Sequence, residues 1–408
     1  MIIKGNALTL PLPDESIQCV VTSPPYWGLR KYAGEQITFW GMSADGESDE
    51  CAFGLEATIE AYVEHSILIL REVRRVLRDD GLCWWNLGDS YCSNPGNGRG
   101  GEASMGHRSA TGAPPHRSGM DKSDCGLKPL DLCLIPERVA LAAQADGWYV
   151  RSLVIWSKPN PMPESVNGWR WERHRVKVGK GDVPRYGDIG ESAKPRGDYQ
   201  NAKWSDCPGC EKCSPNDGLV LRKGSWRPTD AYEHILMLAK TAGYFGDAEA
   251  VKEAAAWERW GAQKSDKRAG GYGWIPDKKK EELTANTTRN LRNIWTFPTQ
   301  PYPEAHFATF PERLPEICIK ASTSEKGCCP KCKSPIVRIK GSSGWRPSCS
   351  CNAGEPVPCT VLEPFGGSGT TAQVASQLGR RVISIDLAYH DLARKRIDKP
   401  MKKKKEKK

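Results

Sequence analysis

Residues 22–27 read Thr-Ser-Pro-Pro-Tyr-Trp and follow the apolar run Ile17-Gln18-Cys19-Val20-Val21. Proline fixes φ and carries no amide hydrogen, so Pro24 and Pro25 form a stiff elbow that cannot donate. A hydroxyl precedes it at Ser23 and an aromatic ring follows at Tyr26. A second stretch spans Val361–Leu387: a short apolar strand, the turn Glu363-Pro364-Phe365-Gly366-Gly367-Ser368-Gly369-Thr370, an amphipathic stretch, and a strand ending in Asp386. Glycines there let main chain approach a ligand at the strand's carboxyl end, and an acid closing the next strand can hold a ribose through its hydroxyls. A phosphate-cradling loop needs Lys followed by Ser or Thr after its last glycine. Gly369 is followed by Thr370-Thr371, which argues against a nucleoside triphosphatase. Nicotinamide binding stays open from the glycines alone but leaves the proline elbow without a role.

Cysteine spacing is the third chemical signal. Cys329-Pro330-Lys331-Cys332, sixteen residues, then Cys349-Ser350-Cys351 resembles a zinc ribbon. Four thiolates so spaced make a closed structural site, with Cys328 able to replace Cys329. Cys207, Cys210 and Cys213 form a second cluster that needs a fourth ligand, and His174 is the nearest upstream histidine. A lone histidine is more often a hydrogen-bonding residue, so zinc at this second place is the weaker expectation. Either metal would stiffen a loop-rich insertion too poor in apolar residues to fold alone.

These groups need a scaffold. Strand-like runs at Ile17–Thr22, Leu82–Leu87, Tyr149–Trp156, His234–Leu238, Thr360–Leu362 and Val382–Ile385 interleave with amphipathic stretches at Ile59–Leu77, Arg138–Ala145 and Thr370–Leu378. Such alternation predicts an α/β fold with a mostly parallel sheet. Three segments break the rhythm: a Gly/Ser/Arg-rich loop within 94–126, a basic cysteine-bearing insertion at 167–227, and a charged, Trp-bearing stretch at 250–293. Core pieces lie at 1–93, 127–166, 228–249 and 294–398, the last holding the ribbon at 327–353, before a basic tail at 399–408. Basic residues interleaved with aromatics suit phosphates and stacked bases.

The 408 residues carry a net charge of +10 and 38% apolar residues, with mean hydropathy −0.57. The charge points to a polyanionic partner, most simply nucleic acid. No run approaches a membrane span of roughly 20 apolar residues, and no secretory signal stands at the N-terminus. A cytoplasmic protein is expected, in which sixteen cysteines favour metal ligation over disulfides.

Taken together, Ser23-Pro24-Pro25-Tyr26 and Glu363–Thr370 resemble the DNA amino-methyltransferases that use S-adenosylmethionine, in the permuted order with the catalytic motif first. The likeness extends through Asn86-Leu87-Gly88-Asp89-Ser90, Lys158-Pro159-Asn160-Pro161 and Ala305–Pro311. It departs from the family's pattern at Glu363, where Asp is usual, and at Asn6, where an acid usually closes the first strand. The resemblance implies a Rossmann-like methyltransferase fold and double-stranded DNA as partner, and it admits a cognate restriction endonuclease. It makes Ser23, Pro24, Pro25 and Tyr26 catalytic, with Trp27 helping to wall the pocket. It gives Glu363–Thr370, Asp386, Asn6, Phe307 and Thr309 to the cofactor, and it sets strand Ile2–Ile3 in the same sheet as Val382–Ile385. Ser-Pro-Pro is typical of cytosine N4 enzymes, with adenine N6 the alternative. A target inside a duplex would have to be flipped out. Rival readings are a methyltransferase of RNA or protein, and an inert zinc-bearing DNA-binding protein.

Overall fold

The computed structural model describes residues 1–29, 32, 36–42, 48–92, 122, 125–164, 166–178, 203–254, 288–300 and 309–397. Two compact units divide the chain: Met1–Asn160 with Tyr232–Lys408, and Pro161–Ala231.

The first unit is built on an eight-stranded sheet. In chain order its elements are β1 (Ile2–Lys4), β2 (Ile17–Thr22), α1 (Ile59–Val76), β3 (Leu77–Leu87), α2 (Ile135–Ala145), β4 (Tyr149–Ser157), β5 (Tyr232–Ala239), β6 (Ile294–Thr296), α3 (Arg313–Ser322), β7 (Thr360–Glu363), α4 (Thr370–Gln377), β8 (Arg381–Asp386) and α5 (His390–Ile397). Strand order is β1-β8-β7-β2-β3-β5-β4-β6. Only β5 runs against its neighbours; β1, β8, β7, β2 and β3 form a parallel block, and β6 lies parallel to β4. This is the Rossmann-like arrangement with a mostly parallel sheet. As expected, β1 and β8 share this sheet; they are in fact paired neighbours, Ile3 opposite Ile385 and Lys4 opposite Asp386.

Both faces are covered. Ile59, Tyr62, Leu70 and Val73 of α1, with Ile135 and Val139 of α2, pack on Val20, Cys83 and Trp85. Leu314 and Ile317 of α3, with Ala372 and Val374 of α4, pack on Cys19, Val21, Leu82 and Val361. Each such aliphatic side chain contributes roughly 1.5–3 kcal/mol when buried. A register irregularity between Ile17 and Cys19 turns Ile17 onto the α1 face, and β2 is buried along its whole length. Helix α1 opens on Thr58, whose hydroxyl accepts from the Ala61 amide at 3.2 Å.

One element differs from the sequence reading. The amphipathic stretch stops at Val76, and β3 already begins at Leu77, running through Asp79-Asp80-Gly81. Arg78 pairs with Asp80 at 2.7 Å and Lys240 with Asp79 at 2.8 Å, so ion pairs along the strand hold residues that look like a turn. No helix among the described residues is long and apolar enough to cross a membrane.

The second unit contains two small antiparallel ribbons, Trp169–Arg173 with Leu219–Lys223 and Arg175–Val178 with Lys203–Asp206. The 167–227 insertion falls inside it. Most of the loop within 94–126, the greater part of 250–293 and the basic tail lie outside the described residues. Of the 250–293 segment, Arg289 and Arg292 both pair with Glu253.

Candidate active site

Strands β7 and β2 are adjacent and parallel, with Leu362 opposite Val20. Helix α4 follows β7 on one face, and α1, the first helix after β2, covers the other. Ligands of open α/β sheets bind in the crevice at such a point, outside the carboxyl ends of the strands. Here β2 ends in Ser23-Pro24-Pro25-Tyr26 and β7 in the glycine turn.

The elbow is held by a chain of hydrogen bonds. Ser23 Oγ donates to Tyr26 Oη at 3.0 Å, and Tyr26 Oη donates to Glu233 Oε2 at 2.7 Å. Asn86 Nδ2 donates to Tyr26 Oη at 2.7 Å and to Glu233 Oε2 at 2.8 Å, with Ser23 Oγ at 3.4 Å. Lys158 Nζ is paired with Glu233 Oε1. Asn86 Oδ1 is buried without a partner among the described residues; turning the amide over would bring it against the Glu233 carboxylate. Burial, and then the Glu233 charge, push the Tyr26 hydroxyl well above its ordinary value, so it stays a neutral donor. Its ring lies on Gly88, where a Cβ would come within 2.7 Å of Cε2.

The two proline carbonyls differ. Tyr62 Oη of α1 donates to the Pro25 carbonyl at 2.9 Å. Among the described residues, nothing donates to the Pro24 carbonyl. Trp27 corrects the sequence reading. It is only 1% exposed and donates to the Glu56 carbonyl at 2.9 Å, so it packs in the core instead of walling an open pocket.

Glu56 is itself part of a clamp behind the elbow. Its Oε2 accepts from the Gly54 amide at 2.9 Å, and the Gly54 carbonyl accepts from the Gly28 amide at 2.7 Å. His65 of α1 holds Glu56 Oε1 at 3.1 Å through Nδ1 and Asp49 Oδ2 at 2.8 Å through Nε2, with Trp40 stacked on its ring at 4.0 Å. Burial pulls the imidazole pKa down, but the hydrogen bonds and charges of Glu56 and Asp49 outweigh it and leave the pKa raised. Burial also raises Glu56.

On the other side of the crevice, Gly366 has no room for a side chain: a Cβ would fall 2.3 Å from Ser384 Oγ. Asp386 braces the turn, its Oδ2 accepting from the Gly367 amide at 2.8 Å. Its Oδ1 takes the amides of Ala388 and Tyr389 at 2.8 and 2.7 Å. Arg396 of α5, buried, donates to the Ser368 and Thr370 hydroxyls at 2.9 Å each. Glu363 is 1% exposed, and burial drives its carboxyl well above the usual range, against a hydrogen bond from Thr371. Pro364 is buried, whereas Phe365 and Gly367 are partly exposed. Phe365 stacks on Phe53 at 5.7 Å, and Phe53 adjoins the Gly54 that ties down the elbow, so one short loop touches both turns.

Asn6 follows Gly5, which lies just past β1 and whose amide donates to the Asp386 carbonyl at 3.2 Å; the Asn6 side chain donates to Thr38 Oγ1 at 3.2 Å. Thr309 donates to the Gln300 carbonyl at 3.4 Å, and Phe307 lies outside the described residues. Glu233 and Arg396 were missed by sequence reasoning. Neither sits in a motif, and only the register of β5 against β3 and the packing of α5 bring them in. Asp89, in the motif that resembled the family, caps α2 by accepting from the Ile135 amide at 3.1 Å.

The cysteine clusters assemble as the spacing suggested. The ligand atoms of Cys329, Cys332, Cys349 and Cys351 lie within 4.8 Å of one another, as do those of His174, Cys207, Cys210 and Cys213. Cys328 is turned away, its Sγ 3.5 Å from the Val357 carbonyl.

Comparison with known proteins shows the family. A DNA methylase family model, of the N6/N4 type, matches residues 17–395. The type II methyltransferase M.Cfr9I of Citrobacter freundii is 31% identical over 403 residues, 97% of this chain and 87% of that protein. M.SmaI of Serratia marcescens is 30% identical over 401 residues, 97% of this chain and 90% of that protein. Among solved structures, the PvuII DNA methyltransferase, described as cytosine-N4-specific, aligns over 98% of this chain and 87% of its own. The TM-score is 0.47 at 16% identity.

Proposed function

The chain belongs to the N6/N4 DNA methylase family and so is an S-adenosylmethionine-dependent DNA methyltransferase; from that premise we propose that it methylates the exocyclic N4 amine of cytosine, flipped out of duplex DNA. The observation that carries this reading is the Ser23–Pro24 elbow at the mouth of the crevice, with its Pro24 carbonyl unclaimed among the described residues. Serine before the two prolines favours cytosine over adenine.

An exocyclic amine is a poor nucleophile because its lone pair is delocalised into the ring. Ser23 commits its own hydrogen to Tyr26, which leaves Oγ lone pairs to accept from the amine, and the Pro24 carbonyl is the second acceptor. Drawing both hydrogens aside frees the nitrogen lone pair, and proline stiffness spares any ordering at the moment of reaction. Tyr26 gives its ring face to the base. The hydrogen-bonded line Ser23–Tyr26–Glu233 offers a way out for the proton released as the amine is methylated. Extrusion of the base costs a few kcal/mol in lost stacking and pairing.

The cofactor fits the opposite turn on two observations. Glu363 is a buried acid pushed toward its neutral form, which a ligand ammonium would ionise. Gly367 is partly exposed with φ at 47°, so bare main chain can approach a ligand there. When bound, S-adenosylmethionine supplies a methyl group on an electron-poor sulfonium. Gly366, Gly367, Ser368, Gly369 and Thr370 would hold it with Pro364 and Phe365; Asp386 and Asn6 would serve its nucleoside end, and likeness to the family adds Phe307 and Thr309 to the set.

Structural zinc is proposed at both clusters, since Zn–S bonds of about 2.3 Å bring tetrahedral ligand atoms to the spacing seen. His174 is the fourth ligand in the second unit. The 250–293 stretch is proposed for target recognition. The type II designation of the relatives supports a cognate restriction endonuclease as partner, and the family's substrate a cytoplasmic location.

Expression in a host lacking DNA methyltransferases, followed by bisulfite sequencing, tests the base assignment. An N4-methyl group slows deamination, so cytosines in one short sequence context should resist conversion. Complete conversion everywhere would overturn it.

A further inference from the structure

The ribbon Trp169–Arg173 with Leu219–Lys223 has two unlike faces. Antiparallel register places Trp169 opposite Lys223, Trp171 opposite Leu221 and Arg173 opposite Leu219. Directly opposed residues share a face, so one side carries two indoles and two leucines with Arg173 and Lys223 as its only charges. The other side holds the acid: Glu172 is paired with Arg170 at 2.5 Å and Arg222 at 3.5 Å.

The indole face is open. Trp169 is 68% exposed, Trp171 52% and Leu221 37%. Lys223 Nζ rests 4.8 Å from the centre of the Trp169 ring, which keeps a cation over an exposed aromatic. Contiguous exposed apolar surface marks an interaction site, and this one is purely cationic in charge. Such a face matches a polyanion whose bases and sugars offer flat apolar surface between phosphates. A two-stranded ribbon is also narrow enough to enter the major groove of B-form DNA.

The ribbon is pinned at both ends. At one, the Gly168 amide donates to the Ser225 carbonyl at 3.1 Å. At the other, the His174 amide donates to Gly218 at 2.9 Å, and the His174 carbonyl accepts from Cys207 at 2.7 Å. An isolated hairpin is marginal in water. Anchoring it beside the Cys207, Cys210 and Cys213 thiols holds the indoles in place when the ribbon has no sheet of its own to lean on.

We infer that the Trp169–Trp171 face of this ribbon is a contact surface for the duplex DNA that the enzyme modifies. The inference rests on the reading of the chain as a DNA methyltransferase and adds which surface of the second unit meets the substrate.

Hydroxyl-radical labelling of the full wild-type chain, read by peptide mass spectrometry with and without random-sequence duplex DNA, tests it. Oxidation of Trp169 and Trp171 should fall at least fivefold with DNA. In parallel, the Trp169→Ala/Trp171→Ala variant should bind DNA at least tenfold more weakly while its affinity for S-adenosylmethionine, held by the other unit, stays unchanged. If wild type methylates DNA yet labelling of both indoles is unaltered and the variant binds normally, the inference fails and the methyltransferase reading stands. If wild type neither binds nor methylates DNA, that reading fails with it. Protection that grows with protein concentration in the absence of DNA assigns the face to a second copy and overturns the proposal.

Discussion

The elbow at Ser23–Tyr26 is held by a side-chain network, whereas the turn at Glu363–Thr370 is held through its main chain by the Asp386 carboxylate and through its hydroxyls by one buried arginine. Tyr26, Asn86, Glu233 and Lys158 fix the first through a polar chain that reaches strands β3, β4 and β5. Asp386 fixes the second by accepting a backbone amide, and Gly366 by lacking a side chain. On the proposed assignment of the two turns, the contrast follows from what each must present. An amine target needs acceptor atoms aimed to a few tenths of an ångström, and side-chain networks supply that aim. A bulky cofactor needs surface and close approach, which bare main chain supplies. Damage to the elbow should therefore appear in the rate of methyl transfer, and damage to the turn in cofactor affinity.

Ser23→Ala is expected to break the comparison most sharply. Loss of one positioned group at a reacting centre lowers turnover on the order of 10²–10³-fold, while calorimetric affinity for S-adenosylmethionine stays within twofold of wild type. Equal losses in both would merge the two roles. Gly366→Ala should do the reverse. A Cβ 2.3 Å from Ser384 Oγ forces repacking that destabilises by about 1–3 kcal/mol, read by thermal melting, and raises the cofactor Kd at least tenfold.

Glu233→Gln sharpens the picture further. It strips the charge from the network and leaves Lys158 without its partner, so transfer should slow by about tenfold with cofactor affinity unchanged; hydrogen bonds to charged groups are worth roughly 1.5–3 kcal/mol. The Tyr26 hydroxyl, held up partly by Glu233, should then titrate at lower pH. Unchanged single-turnover rates would remove Glu233 from the account.

The smallest effect concerns the clamp behind the elbow. His65 is raised above its ordinary value, so the stability it adds is fully present below about pH 6.5 and is lost as pH rises through its folded value. Glu56, raised by burial, acts with the same sign from the carboxylate range upward. Melting temperature should decline as pH rises above neutrality, and His65→Gln should flatten that decline. A variant that keeps the wild-type slope would exclude the clamp.

Much of this was legible in the sequence because it is local. Proline and glycine punctuation marked both turns, alternating apolar runs marked the sheet, and cysteine spacing marked both thiol clusters. Glu233 was not legible, since its role depends on β5 pairing antiparallel to β3 so that His234 lies opposite Leu87. Arg396 reaches the glycine turn only because α5 folds back over α4. Trp27 was misread because nothing in Pro-Pro-Tyr-Trp tells which aromatic faces the crevice; the Glu56 carbonyl decides it. The ribbons of the second unit carried no clear periodicity, being five residues or shorter, and their exposed indoles emerge only from register.

The most direct test of the central claim is to incubate the purified protein with S-adenosylmethionine and mixed-sequence duplex DNA, digest to nucleosides, and identify the product by mass spectrometry. N4-methylcytosine is the expected product. N6-methyladenine as the sole product would contradict the base assignment while preserving the elbow's mechanism.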